Sequence, residues 1–396
     1  MNNSQQESAM RICMVTTIFP PALGGPATQC FNLCTALRDR GLVPVVVTYG
    51  ERFTHIKPNG YSVYSFRESY GFGPIDRLLR WLIFPWYIGA IFRREKIDIL
   101  HCHSVNMLSF IAAMVGKAMG IPRIVKFAGD WVWETLSTRR VRGKNFAEVY
   151  RSSWYSRFLA VLERRGIRLF DLIWAPSKSR RREVEFLVGQ DPPSIIIPNC
   201  LLFQDSPGTN LRDPEKIIIV SANRFIPHKR IPWIVELYAK IKSPKTCLVL
   251  IGDGTETAVV KETIERYRLE DSVICTGRLS SEAVYEQFKK ASIYISASLD
   301  EGLPNVFIEA MHYGLPIVTT NVGGSGEMVK NGENGFVLPP DNQEAFVSAV
   351  RKLINDPDLR LEMSMASTEI SKNYDLQTRV EEFIAMYKNL SVKKSG

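Results

Sequence analysis

The stretch Glu301-Gly-Leu-Pro-Asn-Val-Phe-Ile-Glu309 places two carboxylates eight positions apart, with a glycine and a proline between them. Pro304 suits a first helical turn, because its missing N–H would have no partner there in any case. The apolar residues from Val306 onward predict a helix, and Gly314 suits its end. We therefore expect Glu301 on a loop at a strand end and Glu309 about a turn and a half into the helix.

The first turn of this predicted helix has the chemistry of an anion site. Its free N–H groups and the positive end of its dipole suit an anion such as a diphosphate. An ionised carboxylate only accepts hydrogen bonds, so Glu301 and Glu309 suit hydroxyl groups, which donate them. The pattern favours a nucleotide-sugar pocket, and a surface helix with two solvated glutamates is the alternative on spacing alone.

Two cations precede this stretch in the same half of the chain. Arg224 and Lys229 follow the apolar run 217–221, at the kind of strand end where α/β proteins bind ligands. They would stabilise the negative charge that a leaving diphosphate gathers. For Arg224 alone, a surface ion pair is the alternative. The segments Leu250-Ile-Gly-Asp-Gly254 and Thr276-Gly-Arg-Leu279 add glycine turns after two further strands.

Together these motifs resemble the retaining glycosyltransferases of family 4. The Glu-x7-Glu pair is followed, as in that family, by Gly314-Leu-Pro-Ile-Val and by Asn331-Gly-Glu-Asn-Gly. The resemblance is dense over residues 215–340 and looser before them. It implies the GT-B fold, an α/β architecture of two facing Rossmann-like domains with parallel sheets and an interdomain cleft. It also implies metal-independent transfer of a hexosyl-type group, with retention, from a nucleotide sugar to a hydroxyl.

The resemblance implies a role for each matching residue. Glu301 would contact a donor-sugar hydroxyl, Glu309 the ribose hydroxyls, and Arg224 and Lys229 the diphosphate. Asp130 stands where many family members have a histidine pair. It would take over the sugar contact or hold the acceptor hydroxyl, unless it only caps the next turn. The expected catalytic set is Glu301, Arg224, Lys229 and Asp130, and further donor contacts are expected from Gly24, Gly25, Gly252, Gly254, Arg278, Leu279, Gly302, Leu303, Asn305 and Val306.

Strands alternate with helices in both halves, which predicts parallel sheets. The Gly24-Gly25 loop after the first strand suits close approach of the donor, with a tight turn only as the alternative. It lacks the full Gly-x-Gly-x-x-Gly spacing, so no dinucleotide cofactor is expected. The expected division is a disordered segment 1–9, an acceptor-side domain 10–200, a linker 201–215, a donor domain 216–372 and a helix within 373–396 that returns to the first domain.

Cysteine and histidine usage argues against a metal site and against disulfides. The seven cysteines are scattered and lack paired spacing, which favours reduced thiols in a cytoplasmic protein. We expect His101 and His103 to point to opposite faces of their strand, which makes a two-histidine metal site unfavourable. No metal and no cofactor are therefore expected.

Charge is distributed unevenly along the chain. Basic residues exceed acidic ones by 12 in residues 1–200, whereas acidic residues exceed basic ones by three in the remainder. The first half also holds the apolar stretch 78–92, which is either a core helix kinked at Pro85 or a membrane-surface helix. Its longest uninterrupted apolar run is too short to span a bilayer. Basic clusters lie at Arg77, Arg80, Arg93 and Arg94, at Arg139, Arg140, Arg142 and Lys144, and at Lys178, Arg180, Arg181 and Arg182.

The expected partners follow from these features. A UDP- or GDP-sugar is the expected donor, and a glycan or lipid-linked glycan is the expected acceptor, as in bacterial-type cell-surface polysaccharide or glycolipid assembly. An anionic membrane surface is a further candidate partner. The protein would then be cytoplasmic and lie peripherally at the inner face of the membrane. Nucleic acid is not expected, because no recognition motif accompanies the charge. The rival functions are a nucleotide-sugar hydrolase or epimerase and a non-catalytic nucleotide-sugar-binding protein at the membrane surface.

Overall fold

Two β-sheets, one in each half of the chain, organise the computed structural model. It describes residues 9–22, 24–67, 75–129, 153–189, 192–203 and 216–392. The expected pair of parallel-sheet units is confirmed, because within these residues only one strand pair is antiparallel. Asp130, the cluster from Arg139 to Lys144 and most of the expected linker lie outside the described residues.

The N-terminal sheet has the strand order β3-β4-β2-β1-β5-β6-β7-β8. Helices connect most of its parallel strands, whereas the parallel pair β2 and β4 is joined by a segment that contains the antiparallel strand β3. The strands are β1 Arg11–Val15, β2 Val43–Gly50, β3 Thr54–Ile56, β4 Ser62–Arg67, β5 Ile99–Cys102, β6 Arg123–Lys126, β7 Leu172–Ala175 and β8 Ser194–Ile196. The described helices are α1 Gly25–Asp39, α2 Ile75–Glu95, α3 Met107–Ala118, α4 Trp154–Ile167 and α5 Lys178–Val188.

The C-terminal sheet is entirely parallel, in the order β11-β10-β9-β12-β13-β14. Its strands are β9 Ile217–Ala222, β10 Thr246–Ile251, β11 Val273–Gly277, β12 Ile293–Ser296, β13 Ile317–Thr320 and β14 Gly335–Leu338. Its helices are α6 Ile231–Ala239, α7 Thr257–Arg266, α8 Ser281–Lys290, α9 Asn305–His312, α10 Ser325–Met328, α11 Gln343–Asn355 and α12 Pro357–Ser371.

The last helix, α13 Leu376–Val392, packs on the N-terminal sheet, as the resemblance implies. Phe383 is buried and meets Trp174 of β7 edge-on, with ring centroids 5.1 Å apart. The Tyr387 hydroxyl lies 2.7 Å from Nδ1 of His101 on β5. The chain therefore crosses twice between its two halves, and its last helix completes the core of the first.

The sequence missed β3, β4 and β14. β3 and β14 have only three and four residues, and both are edge strands of their sheets, where fewer residues need to be apolar. The expectation for the two histidines was wrong, because residues two apart on a strand share a face. The rings of His101 and His103 stack with centroids 4.6 Å apart.

Helix α2 combines features of a core helix and of a surface helix with exposed apolar residues, the two alternatives that the sequence left open. Phe84, Ile88, Ile91 and Phe92 are buried in the N-terminal core. Four other apolar residues of this helix are 41–81% exposed, namely Trp81, Leu82, Trp86 and Tyr87. Within the described part of the chain, no helix has the length and apolar character needed to cross a membrane.

The packing of α13 generates a stability prediction. Phe383→Ala should lower the free energy of unfolding by ~3–5 kcal/mol, because it leaves a cavity in a buried aromatic contact. Urea unfolding followed by circular dichroism measures the change. Asn389→Ala on the exposed side of the same helix is the control, and equal losses for both variants would contradict the observed packing.

Candidate functional site

A buried ion pair joins the loops after β9 and β12. Lys229 Nζ donates to Glu301 Oε1 at 2.6 Å, and the Ser298 hydroxyl donates to the same oxygen at 2.6 Å. Glu301 is only 6% exposed. The Leu299 N–H donates to the His228 carbonyl at 2.8 Å, so the two loops lie side by side. Both donors use Oε1, so among the described residues the other carboxylate oxygen of Glu301 remains available to a ligand hydroxyl.

Glu309 lies on the predicted helix, α9, one helical turn after its first residue Asn305 and slightly nearer the helix start than the expected turn and a half. It is partly buried, and burial raises the pKa of its carboxyl to about 7, although a hydrogen bond from Tyr285 opposes that shift. The two carboxylates of the motif therefore differ in environment. Glu301 is held by a cation and a hydroxyl, whereas Glu309 stands in less polar surroundings.

Arg224 is exposed on the loop that follows β9. Two glycines that follow β10 pack closely against the backbone of this loop. A Cβ at Gly252 would lie 1.9 Å from the Asn223 carbonyl oxygen, and one at Gly254 would lie 2.4 Å from that of Phe225. The structure thus gives both glycines a packing role beside Arg224, and their expected donor contacts stay a prediction. Arg278 is exposed just beyond β11, and the neighbouring Leu279 is partly buried.

The N-termini of α1 and α9 meet across the two halves. Asn305 Nδ2 donates to the Gly25 carbonyl at 3.4 Å, and a Cβ at Gly25 would lie 3.2 Å from that nitrogen. Gly24 precedes α1 and leaves it without a side-chain cap. Two positive helix ends therefore lie close together, which is an arrangement suited to an anion.

A polar network that the sequence did not predict lies behind these helix ends. Asn199 Oδ1 accepts from Lys126 Nζ at 2.7 Å and from Gln29 Nε2 at 2.9 Å. Asn199 Nδ2 donates to the Leu303 carbonyl at 2.7 Å and to Asn305 Oδ1 at 2.9 Å. Lys126 also donates to Gln29 Oε1. Burial lowers the pKa of Lys126 to about 7. The network ties the start of α9 to the N-terminal half.

The start of α9 is also packed closely by neighbouring backbone. A Cβ at Gly302 would lie 2.5 Å from the Ala128 carbonyl oxygen of the N-terminal half. Leu303 is buried in the donor-half core, and Val306 is partly buried against it. The predicted residues Gly302, Leu303, Asn305, Val306 and Glu309 are thus brought together with Glu301, Lys229 and Gly25.

One basic cluster differs from its sequence interpretation. Arg180 was grouped with Lys178, Arg181 and Arg182 as part of a basic surface. It is instead buried, with ion pairs to Glu183 and to Asp300. Arg181 pairs with Glu185 on the same helix. In the sequence, Glu183 and Glu185 are recognisable only by their helical spacing from Arg180 and Arg181. Asp300 is recognisable only by its place beside Glu301.

No group of three or more potential metal-ligating side chains occurs within the described ranges. The buried stack of His101 and His103 is adjacent to Tyr387 and Trp174. Burial and the nearby Lys126 ammonium lower the pKa of His101 to about 3. The ring is therefore neutral at ordinary pH.

The raised pKa of Glu309 generates a stability prediction. Between about pH 4.5 and 7 the folded chain holds a proton on this carboxyl that the unfolded chain has lost. Its contribution to the free energy of unfolding should therefore fall by ~3 kcal/mol as pH rises through that window. Glu309→Gln removes the effect, so urea unfolding of variant and wild type should diverge steadily from pH 4.5 to 7. Parallel curves would contradict the burial argument.

Comparisons with known proteins agree with this geometry. A glycosyl transferase 4-like domain model matches residues 24–200, and a glycosyl transferases group 1 model matches residues 203–370. An uncharacterized glycosyltransferase of Haemophilus influenzae is 34% identical over 193 residues, which are 48% of this chain and 53% of that protein. The match therefore spans about half the length of that relative.

Two further similarities extend over nearly the whole chain. The phosphatidylinositol N-acetylglucosaminyltransferase GPI3 subunit of Saccharomyces cerevisiae is 25% identical over 97% of this chain and 84% of the yeast protein. An Anabaena protein solved with UDP and glucose has a TM-score of 0.73 at 17% identity, covering 96% of this chain and 99% of that one. The likeness to the solved structure concerns the fold. The chain therefore belongs to the glycosyltransferases of the family 4 type and has their GT-B fold.

Proposed function

We propose that the protein transfers a sugar, with retention and without a metal, from a UDP- or GDP-sugar to a hydroxyl of a glycan or lipid-linked glycan. The observation that carries this proposal is the buried Lys229–Glu301 pair beside the N-terminus of α9. A cation, a helix end and a half-satisfied carboxylate suit a sugar diphosphate, because phosphate oxygens accept hydrogen bonds and sugar hydroxyls donate them.

In this proposal the diphosphate binds between the two converging helix N-termini. Arg224 and Lys229 stabilise the charge that develops on the leaving phosphate, which is the role a metal has in other transferases. Glu309 accepts the ribose hydroxyls, and the free oxygen of Glu301 accepts a hydroxyl of the transferred sugar. The UDP and glucose in the similar Anabaena structure support a nucleotide-sugar donor.

Retention is proposed to follow from front-side attack. The acceptor oxygen forms its bond to the anomeric carbon on the face that the phosphate leaves, and the acceptor proton passes to the departing phosphate oxygen. A double displacement would need an enzymic nucleophile. Glu301 is poorly suited to that task, because Lys229 and Ser298 both donate to one of its oxygens. We also propose that Asp130 contacts the donor sugar or the acceptor hydroxyl.

Two rival functions remain distinct in experiment. A hydrolase or epimerase would consume the nucleotide sugar without an acceptor, and a non-catalytic binding protein would retain it unchanged. The presence of Glu301, Lys229 and Arg224 together supports an enzyme, because these are the residues proposed to contact the transferred sugar and the leaving diphosphate. The fold alone does not decide between these functions.

The acceptor is proposed to be presented at an anionic membrane surface, in assembly of cell-surface polysaccharide or glycolipid. The exposed apolar residues of α2, which are Trp81, Leu82, Trp86 and Tyr87, lie on the basic half of the chain. Helix α4 exposes a second apolar face that the sequence did not indicate. Its members, which recur at helical spacing, are Trp154, Tyr155, Phe158, Val161 and Leu162.

A screen of donors and two matched variants test the proposed roles. UDP-glucose, UDP-N-acetylglucosamine and GDP-mannose are compared by thermal shift, since a ligand that binds only the folded state raises the melting temperature. Glu309→Gln should weaken binding of the matching nucleoside diphosphate. Glu301→Gln should spare that binding and lower sugar transfer by ~100-fold. Equal losses of diphosphate affinity in both variants, measured by calorimetry, would contradict the assignment.

Metal independence is tested by chelation. Two cations and two helix ends are expected to stabilise the leaving diphosphate, so activity should be unchanged in excess EDTA. Initial rates are measured before and after dialysis against the chelator. Loss of activity that Mg²⁺ or Mn²⁺ restores would contradict the proposed mechanism.

Membrane association is tested with phosphatidylcholine vesicles with and without phosphatidylglycerol. Binding should require the anionic lipid and weaken with salt, because each basic residue near the surface contributes ~1 kcal/mol. Replacing Trp86 and Trp154 with serine should reduce co-sedimentation. The control replaces Leu361 and Met365, exposed on the donor half, with serine. Equal vesicle binding by both double variants would contradict a role for the exposed apolar residues of α2 and α4 in membrane association.

A further inference from the structure

The first turn of α5 belongs to the N-terminal half but contacts the donor half. The Ser177 hydroxyl, which caps this helix, donates to the Gly302 carbonyl at 3.1 Å. Both oxygens of the Glu327 carboxylate, on α10, accept from the first turn of α5. One accepts from the Lys178 N–H at 2.8 Å and the other from the Ser179 N–H at 2.9 Å. Glu327 thus satisfies two N–H groups that have no partner within their own helix.

Arg180, the next residue of this turn, reaches the loop that carries Glu301. It is 3% exposed, and its guanidinium donates to Asp300 at 2.7 Å and to Glu183 at 2.5 Å. Burial alone would lower the pKa of Arg180, but the two carboxylates raise it, so the side chain stays charged. Asp300 directly precedes Glu301, and Gly302 directly follows it. The N-terminal half therefore holds the chain on both flanks of Glu301.

A glycine turn also packs against the same loop. The Gly324 N–H donates to the Glu301 carbonyl at 3.1 Å. Gly323 has φ +50°, and a Cβ there would lie 1.7 Å from that carbonyl oxygen. This turn leads directly into α10, which carries Glu327. The loop bearing Glu301 thus contacts both α5 and the turn before α10, and Glu327 joins α5 to α10.

We propose that Arg180, in the N-terminal half, and Glu327, which binds the first turn of α5 from the C-terminal half, are positioning residues for Glu301, so that its free oxygen is aligned only when the two halves are closed. Neither residue touches the substrate in this proposal. Arg180 acts through Asp300, and Glu327 acts through the first turn of α5. The inference rests on the proposed role of Glu301 as a contact to the donor sugar.

The first test measures the order of the Glu301 loop without any substrate. In Glu327→Ala, hydrogen exchange of the full-length protein should become faster at residues 178–180 and also at residues 299–303. Within the described ranges, the hydrogen bonds of the Glu327 side chain go to α5, so faster exchange at 299–303 reports transmission to the loop. Faster exchange at 178–180 alone, or at neither segment, overturns the proposal.

The second test separates positioning from a general structural role. Using the donor identified among UDP-glucose, UDP-N-acetylglucosamine and GDP-mannose, Glu327→Ala should lower kcat by ~10- to 100-fold. The dissociation constant of the nucleoside diphosphate should stay within about twofold, because α5 contributes no expected diphosphate contact. In a Glu301→Gln background the same substitution should have little further effect, since residues that act as a unit are not additive.

Matched controls keep the outcomes distinct. Glu185→Ala removes an exposed ion pair of the same helix with Arg181 and should leave exchange and kcat unchanged. Arg180→Lys keeps a charge near Asp300 and should retain more activity than Arg180→Met. An equal kcat loss from Glu327→Ala in both Glu301 backgrounds overturns the positioning role. Wild-type turnover by Glu301→Gln alone instead overturns the proposed role of Glu301.

Discussion

A buried carboxylate needs a partner, and the pairing of Glu301 with Lys229 sets the geometry of the whole site. Removing an ion from water costs roughly several kcal/mol unless a countercharge and hydrogen bonds replace the lost hydration. Lys229 follows β9 and Glu301 follows β12, so the pair can form only where those two strands lie together. They are neighbours in the C-terminal sheet, with Tyr294 beside Val220 in the register. The position of the site is therefore a consequence of strand order.

The contacts between the two halves at the cleft are polar, and this has a consequence for motion. The apolar clusters of the described residues stay within one half or the other, apart from α13, which completes the core of the first. Across the cleft the chain instead uses Asn199, Arg180 and Glu327. Separation of the halves would expose little apolar surface, and water could replace the lost hydrogen bonds. Such an interface suits a cleft that must admit and release a substrate.

The sequence predicted the parts of the site that lie close along the chain. Glu309 and Asn305 share one short helix, so their spacing fixed their relation before any tertiary contact was known. Asn199 was missed because its partners Leu303 and Asn305 lie more than a hundred residues away. Arg180 was misread for a related reason. A run of basic residues indicates a charged surface, and only the fold reveals that Asp300 meets one member of the run.

Glycine was the residue type whose function the sequence described least well. Gly252 and Gly254 were expected as donor contacts, and the structure shows a backbone reason for their presence, since each lies against the loop that carries Arg224. The two explanations are compatible, because a loop pressed tightly by its neighbour presents its side chain in a fixed direction. Packing and ligand binding can thus require the same residue, and a sequence motif cannot separate them.

The two carboxylates of Glu-x7-Glu illustrate how one motif can serve two chemistries. Glu301 is paired with an ammonium group, whereas burial without a cation raises the pKa of Glu309 to about 7. Environments that differ between neighbouring carboxyl groups commonly mark different tasks. A carboxylate fixed by a cation keeps its orientation, which suits a contact made while charge moves at the anomeric carbon. A carboxyl that ionises near neutrality gains most from new donors, so a ribose diol that supplies two hydroxyl groups would stabilise its charged form on binding.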